Sequence, residues 1–373
     1  MKIAIAIDSF KGSLTSAEAG KAAEEGIHRV LPDAECVVSP LADGGEGTVD
    51  ALVSGLGGKL HKIKVTGPAG KPVIAIYGTV GNTAIMEMAQ ASGITLVSSD
   101  ERNPFHTTTF GVGEMIKDAI SKGCRRFIIG IGGSATNDAG AGMLQALGFG
   151  LLDAEGKQVP FGGGFLSSIN RIDKSEVIPE LKQCVFRIAC DVTNPLCGEN
   201  GASVVFGPQK GATPEMVKQL DSALLHFAKV SNGDPEFPGV GAAGGLGFAF
   251  RQFLSGELKS GVEIVLEETH FEDIVRDADI VITGEGRLDS QTVMGKAPIG
   301  VARMAKKYGK KVIAFSGCVT SDAGIVNKHG IDAFFPILRE VTTLESVLQK
   351  TIAASNLAAT AEQVFRCLLL GVH

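Results

Sequence analysis

The sequence has no excess of basic residues and no long apolar run. It has 35 Lys and Arg against 41 Asp and Glu, which gives a formal charge of −6. A nucleic-acid surface needs a basic patch, so this balance argues against a nucleic-acid partner. No apolar stretch approaches the ~18 residues of a membrane-spanning helix, and the first residues lack the layout of a signal peptide. We therefore expect a soluble, cytoplasmic protein without a membrane partner.

Several common site signatures are also missing. The seven cysteines contain no C-x-x-C pair, which is typical of reduced thiols, and the seven histidines show no clustering that would favour a zinc site. The chain has no G-x-x-x-x-G-K-[ST] loop and no His-Arg-Asp or Asp-Phe-Gly motif. Residues 239–244 match G-x-G-x-x-G, but they follow prolines rather than a strand, which argues against a dinucleotide-binding turn.

Glycine, by contrast, is abundant, with 49 residues in a chain of 373. The glycines cluster at the ends of apolar runs, where the backbone turns or approaches a ligand closely. The length of the chain and its 44% of hydrophobic residues suit two domains with sizeable cores.

Both ends of the chain alternate strand-like and helix-like segments. Thr15-x-x-Glu18 fits a capping box that opens a helix reaching about Val30. Five apolar runs near the two ends predict an α/β fold with a doubly wound parallel sheet of flavodoxin-like, or Rossmann-like, order. We expect these strands at 3–7, 36–39, 280–282, 312–315 and 333–335, and further helices at 47–56, 298–307, 323–328 and 344–370.

The middle of the chain reads differently and predicts a second α/β domain. A hairpin is expected around the glycines at 67 and 70, since turn residues there separate two β-type runs. We predict that residues 65–265 are inserted into a flavodoxin-like domain made of residues 1–64 and 266–373. A plain tandem arrangement is the alternative. The strands are expected at 60–65, 73–79, 127–131 and 185–189, and the helices at 111–121, 213–230 and 248–254.

Six polar loops follow the predicted strands. In open parallel sheets, ligands bind beyond the carboxyl ends of the strands, so these loops predict a binding site. They lie at 8–16, 42–48, 132–140, 190–195, 284–292 and 316–318.

The first of these loops carries Asp8, Ser9, Lys11 and Ser13 in front of the capped helix. Backbone N–H groups at a helix N-terminus attract anions, and Lys11 adds a positive charge. The loop therefore predicts binding of a phosphate or a carboxylate. An ordinary strand–helix turn is the alternative.

The second loop places Asp43 and Glu46 among glycines. Gly44 and Gly45 permit a ligand to approach closely, and paired acids suit Mg²⁺ or a substrate hydroxyl. A glycine-rich turn is the alternative, because Asp-Gly is common in turns.

The third loop has the character of a phosphate cradle. Gly133 precedes the hydroxyls of Ser134 and Thr136, and Asn137 and Asp138 are expected to open a helix. Nucleotide or substrate binding is therefore predicted for these residues.

The stretch 284–292 is the most highly charged of the loops. We expect Glu285 and Asp289 to hold a metal or orient a hydroxyl, and Arg287 to bind phosphate or carboxylate with two hydrogen bonds. Gly284 and Thr292 are expected to line the same site. A salt-bridged loop without a ligand is the alternative.

The motifs DSFKGSLTS, PLADGGEGT, GGSATNDAG, ACDVTNPL and ITGEGRLDSQT…GKAP occur in this order and together resemble the class I bacterial glycerate kinase family over essentially the whole chain. The resemblance implies ATP-dependent phosphorylation of D-glycerate, with 2-phosphoglycerate favoured over 3-phosphoglycerate. It also implies a two-domain α/β protein with an inserted domain. Phosphoryl transfer relies on positioning, Mg²⁺ and charge stabilisation, and a cleft of acids, hydroxyls and glycine backbone suits these needs.

Under this hypothesis the site lies between the two domains. Asp191 follows the predicted strand at 185–189, and we expect it to accept the proton of the glycerate hydroxyl. Asp43 is the alternative proton acceptor, and a helix cap is the alternative role of Asp191. The acids expected nearest Mg²⁺ are Asp43, Glu46, Glu285 and Asp289.

Two other functions stay open at this point. The first is a kinase of another small hydroxy acid. The second is a non-catalytic sugar-acid sensor, which would need a helix-turn-helix and a basic surface, and the sequence shows neither. The sequence also leaves open whether the chain forms a homo-oligomer.

Overall fold

The structure, a computed structural model, describes residues 1–370 as an alternation of strands and helices. The strands are β1 (Lys2–Ile7), β2 (Glu35–Val38), β3 (Lys59–Thr66), β4 (Pro72–Val80), β5 (Thr83–Glu87), β6 (Arg126–Gly130), β7 (Gly150–Leu152), β8 (Arg171–Asp173), β9 (Val185–Ala189), β10 (Glu257–Lys259), β11 (Ile280–Leu288), β12 (Lys311–Val319) and β13 (Ala333–Pro336). The α-helices are α1 (Ser16–His28), α2 (Thr48–Gly55), α3 (Ala89–Ser92), α4 (Phe110–Ser121), α5 (Ala141–Ala146), α6 (Ala202–Phe206), α7 (Pro214–Val230), α8 (Ala242–Leu254), α9 (Gly261–Glu268), α10 (Phe271–Asp277), α11 (Ala297–Lys307), α12 (Leu344–Val347) and α13 (Lys350–Leu369). Short 3₁₀ helices include Pro208–Lys210, Thr292–Met294 and Ala323–His329.

The chain divides into two compact units, each with its own hydrophobic core. The first unit comprises residues 1–43 and 50–57 and the chain from Val262 onward, and the second comprises 44–49 and 58–261. Residues 371–373 of the predicted first domain lie outside the described residues. Within residues 1–370, no helix combines the length and the apolar character that crossing a membrane requires.

The first unit is built on a five-stranded sheet in the order β2-β1-β11-β12-β13. Every neighbouring pair in this sheet is parallel. The predicted flavodoxin-like order of the five strands is therefore confirmed. The capping box that opens α1 is also confirmed, because the Thr15 hydroxyl accepts from the Glu18 N–H while the Glu18 carboxylate accepts from the Thr15 N–H.

Both faces of this sheet are covered, which explains the near-continuous apolar run of β1. Ile3, Ile5 and Ile7 point into the core that α1 and α13 cover. Ala4 and Ala6 point into the opposite core, to which α10 and α11 contribute. A parallel sheet with helices on both faces buries every side chain of a central strand, so alternation of polar and apolar residues is not expected there.

The second unit is built on a six-stranded mixed sheet in the order β10-β9-β6-β5-β4-β3. Strands β5, β6, β9 and β10 run parallel to one another, whereas β4 is antiparallel to both of its neighbours, β5 and β3, and forms a hairpin with β3. The predicted hairpin is confirmed. A separate antiparallel pair, β7 and β8, lies in the same unit.

Two predicted loops of the first unit are strands instead. Strand β11 runs to Leu288, well past its predicted end at Ile282, and β12 runs to Val319 rather than Phe315. The two strands pair with each other over this stretch, with Glu285 opposite Ser316. Backbone hydrogen bonding between the two strands thus overrides the low strand propensity of Gly and Glu.

The predicted single helix at the C-terminus is two helices. Helix α12 is four residues long and is capped by the Thr343 hydroxyl, which accepts from the Ser346 N–H. Gln349 then adopts an extended backbone before α13 begins. The predicted short helix at 323–328 is a 3₁₀ helix rather than an α-helix.

Candidate active site

The carboxyl end of β1 presents a buried carboxyl group. Asp8 is only 9% exposed, its N–H donates to the Gly284 carbonyl at 2.9 Å, and its Oδ1 accepts from the Ser9 N–H at 2.7 Å. Burial, together with the negative charges of Asp43 and Glu285, raises the pKa of Asp8 to about 7, against the opposing effects of the Ser9 hydrogen bond and the Lys11 charge. A carboxyl group with a pKa near 7 is suited to accept or donate a proton at neutral pH.

The turn between β1 and α1 is closed by its own backbone. Phe10 N–H donates to the Leu14 carbonyl at 2.8 Å, which leaves Lys11 exposed within the turn. The Ser13 Oγ atom is buried and has no hydrogen-bond partner among the described residues. Ser16, which the sequence did not single out, donates to the Ile7 carbonyl at 2.7 Å and accepts from the Leu41 N–H at 2.9 Å.

The extension of β11 gathers two acids around one lysine. Lys296 Nζ lies 3.7 Å from Glu285 Oε2 and 3.6 Å from Asp289 Oδ1. The buried Thr292 hydroxyl donates to Glu285 Oε1 at 2.8 Å and accepts from the Asp289 N–H at 3.2 Å. Burial raises the pKa of Glu285, whereas the Thr292 hydrogen bond and the Lys296 charge oppose the shift. The predicted residues Glu285, Asp289 and Thr292 therefore form one network.

Two features of this network were not expected. Lys296 belongs to the GKAP motif, to which the sequence analysis assigned no role. A lysine at the N-cap of a helix that has Pro in its first turn was a possible signal for an anion site. Arg287 is largely exposed and its Nε lies 3.2 Å from Asp289 Oδ2. An exposed ion pair of this kind contributes little to stability, so the Arg287 guanidinium stays available for a ligand.

In the second unit, a buried glutamate holds the glycine-rich turn at 44–49. Glu87 Oε1 accepts from the Gly47 N–H at 3.0 Å and from the Val49 N–H at 3.1 Å. Gly44 has a φ of +86°, and a side chain there would meet the Ala189 side chain. Glu46 is exposed in this turn. The sequence did not identify Glu87, although an acid at the end of the apolar run of β5 was a possible signal.

The loop 132–140 of the second unit is buried from residue 134 onward and is held by several hydrogen bonds. Asp138 accepts hydrogen bonds from the Thr109 N–H at 2.9 Å, from the Thr109 hydroxyl at 2.8 Å, and from the N–H groups of Gly140 and Gly142 at 3.2 Å. Burial raises the pKa of Asp138, and these hydrogen bonds oppose the shift. Helix α5 begins only at Ala141, so the predicted helix start at 137–138 is three residues early.

Of the other predicted residues of this loop, Gly133 is exposed, whereas Ser134, Thr136 and Asn137 are buried. Asn137 Nδ2 donates to the Ser203 hydroxyl at 2.9 Å, whereas Asn137 Oδ1 and Thr136 Oγ1 have no partner among the described residues. Gly133 has a φ of +72° and its carbonyl accepts from the Ile94 N–H at 2.8 Å. Ser134 accepts from Lys210, a buried lysine that the sequence did not single out.

Asp191 is exposed and sits in front of a helix start. Its Oδ1 accepts from the Ser260 hydroxyl at 2.9 Å and from the Gly261 N–H at 3.2 Å. Helix α9 begins at Gly261, and a carboxylate at a helix N-terminus is stabilised by the helix dipole. These contacts are those of a helix cap. The catalytic role of Asp191 stays a prediction that kinetic measurements on a variant can test.

The acids of the first unit suit Mg²⁺ by their chemistry. Glu285 and Asp289 offer carboxylate oxygens, the hard ligands that Mg²⁺ prefers, and Mg²⁺ takes one or two carboxylates and several waters. Within residues 1–370, no group of three or more His, Cys, Asp or Glu side chains is arranged to hold a metal ion. The donor set therefore fits a water-rich magnesium site and does not fit a closed protein cage.

Comparison with known proteins defines the class first. A crystal structure of a Salmonella typhimurium LT2 protein, presented as a candidate glycerate kinase 2, superimposes with a TM-score of 0.92 at 47% identity, covering 100% of this chain and 99% of that one. The fold of this chain is thus the two-unit α/β fold of that protein.

Sequence comparison then gives the family. The profile of the glycerate kinase family matches residues 3–369. The chain is 52% identical to a glycerate kinase of Haemophilus influenzae over all of both chains. It is 50% identical to the glycerate 2-kinase of Escherichia coli K12, over 96% of this chain and 98% of that one. The chain belongs to the glycerate kinase family, whose members phosphorylate a hydroxyl group of glycerate.

Proposed function

We propose that this protein transfers the γ-phosphoryl group of ATP to the 2-hydroxyl of D-glycerate, giving 2-phosphoglycerate and ADP. Family membership supports the reaction, and the name of the Escherichia coli relative supports the 2-position. The structural observation that carries the proposal is a set of interacting carboxyl groups in the first unit. Asp8 follows β1, Asp43 lies in the loop after β2 and Glu285 lies in β11, and the charges of Asp43 and Glu285 help to raise the pKa of Asp8. Phosphoryl transfer needs such a set to manage a proton and a cation.

The anionic parts of the substrates need cationic and N–H partners. Lys11 and Arg287 are both exposed, and we assign them to the glycerate carboxylate or the ATP phosphates. The hydroxyl and N–H groups of residues 133–138 are assigned to phosphate in the second unit. We also propose that the two compact units are the two domains that the sequence predicts, and that the reaction takes place in the cytoplasm, where ATP is supplied.

Mg²⁺ belongs to the same proposal. Glu285 and Asp289 would hold it in the first unit, and Asp43 and Glu46 are the other two acids that the sequence predicts near the ion. When bound, the ion neutralises charge that develops on the phosphate oxygens. Lys296 lies against Glu285 and Asp289, so their charges are already partly balanced without the metal.

The proton of the attacking hydroxyl has three candidate acceptors. Asp191 is the residue that the sequence favoured, and Asp43 was its alternative. Asp8 is a further candidate, because burial raises its pKa to about 7 and a base is most effective when its pKa lies near the working pH.

An acceptor panel tests the proposed function. ADP release is measured with ATP and Mg²⁺ in the presence of D-glycerate, L-glycerate, glycerol or lactate, and again with excess chelator. We expect turnover with D-glycerate far above the others and its loss in chelator. Equal turnover with another hydroxy acid would assign a different substrate, and glycerate binding without ATP consumption would indicate a sensor. Activity that persists in chelator would remove Mg²⁺ from the proposal.

A further inference from the structure

Lys210 is a buried lysine in the second unit, at the end of the 3₁₀ helix Pro208–Lys210. Its side chain is 2% exposed, among the largest fully buried side chains of the described residues. Taking an ammonium group out of water is costly, so a lysine is rarely fully buried without specific partners. The partners of Lys210 both belong to the loop 132–140.

Two short hydrogen bonds join Lys210 to this loop. Its Nζ donates to Ser134 Oγ at 2.7 Å and to the Thr136 carbonyl at 2.7 Å. A hydroxyl oxygen accepts through its lone pairs and has one proton to donate. Since Ser134 Oγ accepts from Lys210, its own proton is left to point elsewhere, toward an acceptor.

The rest of the loop is fixed without Lys210. Asp138 is held by four hydrogen bonds, and the Ala139 N–H donates to the Gly244 carbonyl at 2.9 Å. Gly244 also packs directly on the Thr136 carbonyl, where a Cβ atom would overlap it. Within residues 1–370, the Ser134 hydroxyl is hydrogen-bonded to Lys210. Lys210 therefore orients one hydroxyl and donates to one carbonyl of a loop that other contacts also hold in place.

We propose that Lys210 is a positioning residue that turns the Ser134 hydroxyl into an oriented hydrogen-bond donor for a phosphate oxygen of ATP. This inference rests on the proposed function, in which the loop binds phosphate. The proposed role explains why a lysine is buried at this position, which a contribution to stability alone does not explain. Burial lowers the pKa of Lys210 to about 7, and the charge of Asp138 opposes that shift, so the protein holds this group against its solvation preference. Removing the buried ammonium group relieves its desolvation cost, but it also leaves the Thr136 carbonyl without this hydrogen-bond donor.

The test compares Lys210→Met, Ser134→Ala and the double variant with the full-length protein. Binding of a non-hydrolysable ATP analogue is measured by calorimetry without glycerate, and the ATP KM is measured with D-glycerate. We expect each single variant to weaken analogue binding and raise the ATP KM by about tenfold or more, the size of a charge-assisted hydrogen bond. The double variant should be no worse than the poorer single variant, because both act through one hydroxyl. Lys218→Met, an exposed lysine on α7, is the matched control and should bind the analogue normally.

The unfolding midpoint in urea shows whether Lys210 acts on ATP binding or only on the stability of the protein. Lys210→Met also removes the hydrogen bond to the Thr136 carbonyl, so its ATP KM should rise whatever its effect on the midpoint. A lowered midpoint with an unchanged ATP KM, or additive effects in the double variant, would overturn the inference. If Lys210→Met does not fold, Ser134→Ala decides alone, and normal analogue binding by that variant overturns the inference. If the wild-type protein does not phosphorylate D-glycerate but the variants still bind the ATP analogue more weakly, the proposed function is wrong and the proposed role of Lys210 stands.

Discussion

Asp8 and Asp191 carry the same carboxyl group, but Asp8 is buried and Asp191 is exposed. Asp8 is buried at the end of β1 among other acids, and its pKa is raised to about 7, chiefly by burial. Asp191 is exposed and accepts hydrogen bonds from Ser260 and Gly261. A general base needs access to the proton that it accepts and a pKa near the working pH, whereas a helix cap needs only an oxygen that accepts from N–H groups of the first turn. The two residues therefore make different predictions for kinetics.

Asparagine substitution at each position separates the two roles. The residue that accepts the proton should lose about 10²–10⁴-fold in kcat when it becomes Asn, with ATP affinity nearly unchanged. If Asp191 is the base, Asp191→Asn shows this loss. A kcat within about threefold of the wild type, far below that range, would make Asp191 a helix cap. Asp8→Asn should then carry the loss, and the acidic limb of the kcat profile near pH 7 should disappear with it.

Lys11 gives a second test at the residue scale. The side chain is exposed within a turn whose backbone closes on itself, so Lys11→Ala should leave the fold intact. The lost contact is charge-assisted and is worth about 1.5–3 kcal/mol, so kcat/KM should fall by more than about tenfold. Lys21→Ala, an exposed lysine on α1, is the control. An unfolded Lys11→Ala, or one with normal kcat/KM for both substrates, contradicts the assignment.

At the scale of elements, the G-x-G-x-x-G stretch at 239–244 has a structural explanation. Ala243, Gly244 and Gly245 all have a positive φ near the start of α8. Gly244 lies against the Thr136 carbonyl and Gly245 against Ala139, so these glycines let α8 approach the loop 132–140. The motif serves backbone packing rather than a dinucleotide, in line with its position after prolines.

A pair of Gly→Ala variants measures this packing. Gly156 has a φ of +78° and open space around it, so Gly156→Ala should cost only the left-handed backbone strain of about 1–2 kcal/mol. Gly244→Ala carries the same strain and also overlaps the Thr136 carbonyl, which should add about 1–3 kcal/mol. Urea unfolding gives the free energy of unfolding of both variants. Equal losses would show that the loop and α8 do not pack as tightly as described.

Sequence patterns predicted the elements that local signals define. The capping box at Thr15 and Glu18 is a contact across three residues, and the order of the five parallel strands follows from their apolar runs. The extension of β11 depends on pairing with β12 about thirty residues away, which no local pattern encodes. The roles of Lys210 and Glu87 were not predicted for the same reason, because their hydrogen-bond partners lie 76 and 40 residues away along the chain. The polar loops were visible, and the residues that hold them in place were not.

For the whole molecule, the raised pKa of Asp8 predicts how stability depends on pH. The folded protein keeps the Asp8 proton up to about pH 7, whereas the unfolded chain releases it near the ordinary value of 3.8. The folded state binds more protons in this window, so stability falls as pH rises through it, by about 4 kcal/mol in total at the limit.

Asp8→Asn removes this dependence and should be more stable than the wild type at alkaline pH. Urea unfolding in chelator at about pH 5 and about pH 8 should show that the advantage of the variant grows with pH. Parallel stability profiles for the variant and the wild type would mean that Asp8 ionises in the folded protein as it does in water. A variant that is more stable and inactive would link the cost of burying this carboxyl to its role in the site.

The phosphorus NMR spectrum of the reaction product tests the central claim most directly. The wild-type protein is incubated with ATP, Mg²⁺ and D-glycerate, and the phosphate-ester signal is compared with those of authentic 2-phosphoglycerate and 3-phosphoglycerate. We predict 2-phosphoglycerate formed in equal amount to ADP. A spectrum with 3-phosphoglycerate would contradict the proposed position of transfer, and a spectrum with no phosphoglycerate beside unconsumed ATP would contradict the proposed reaction itself.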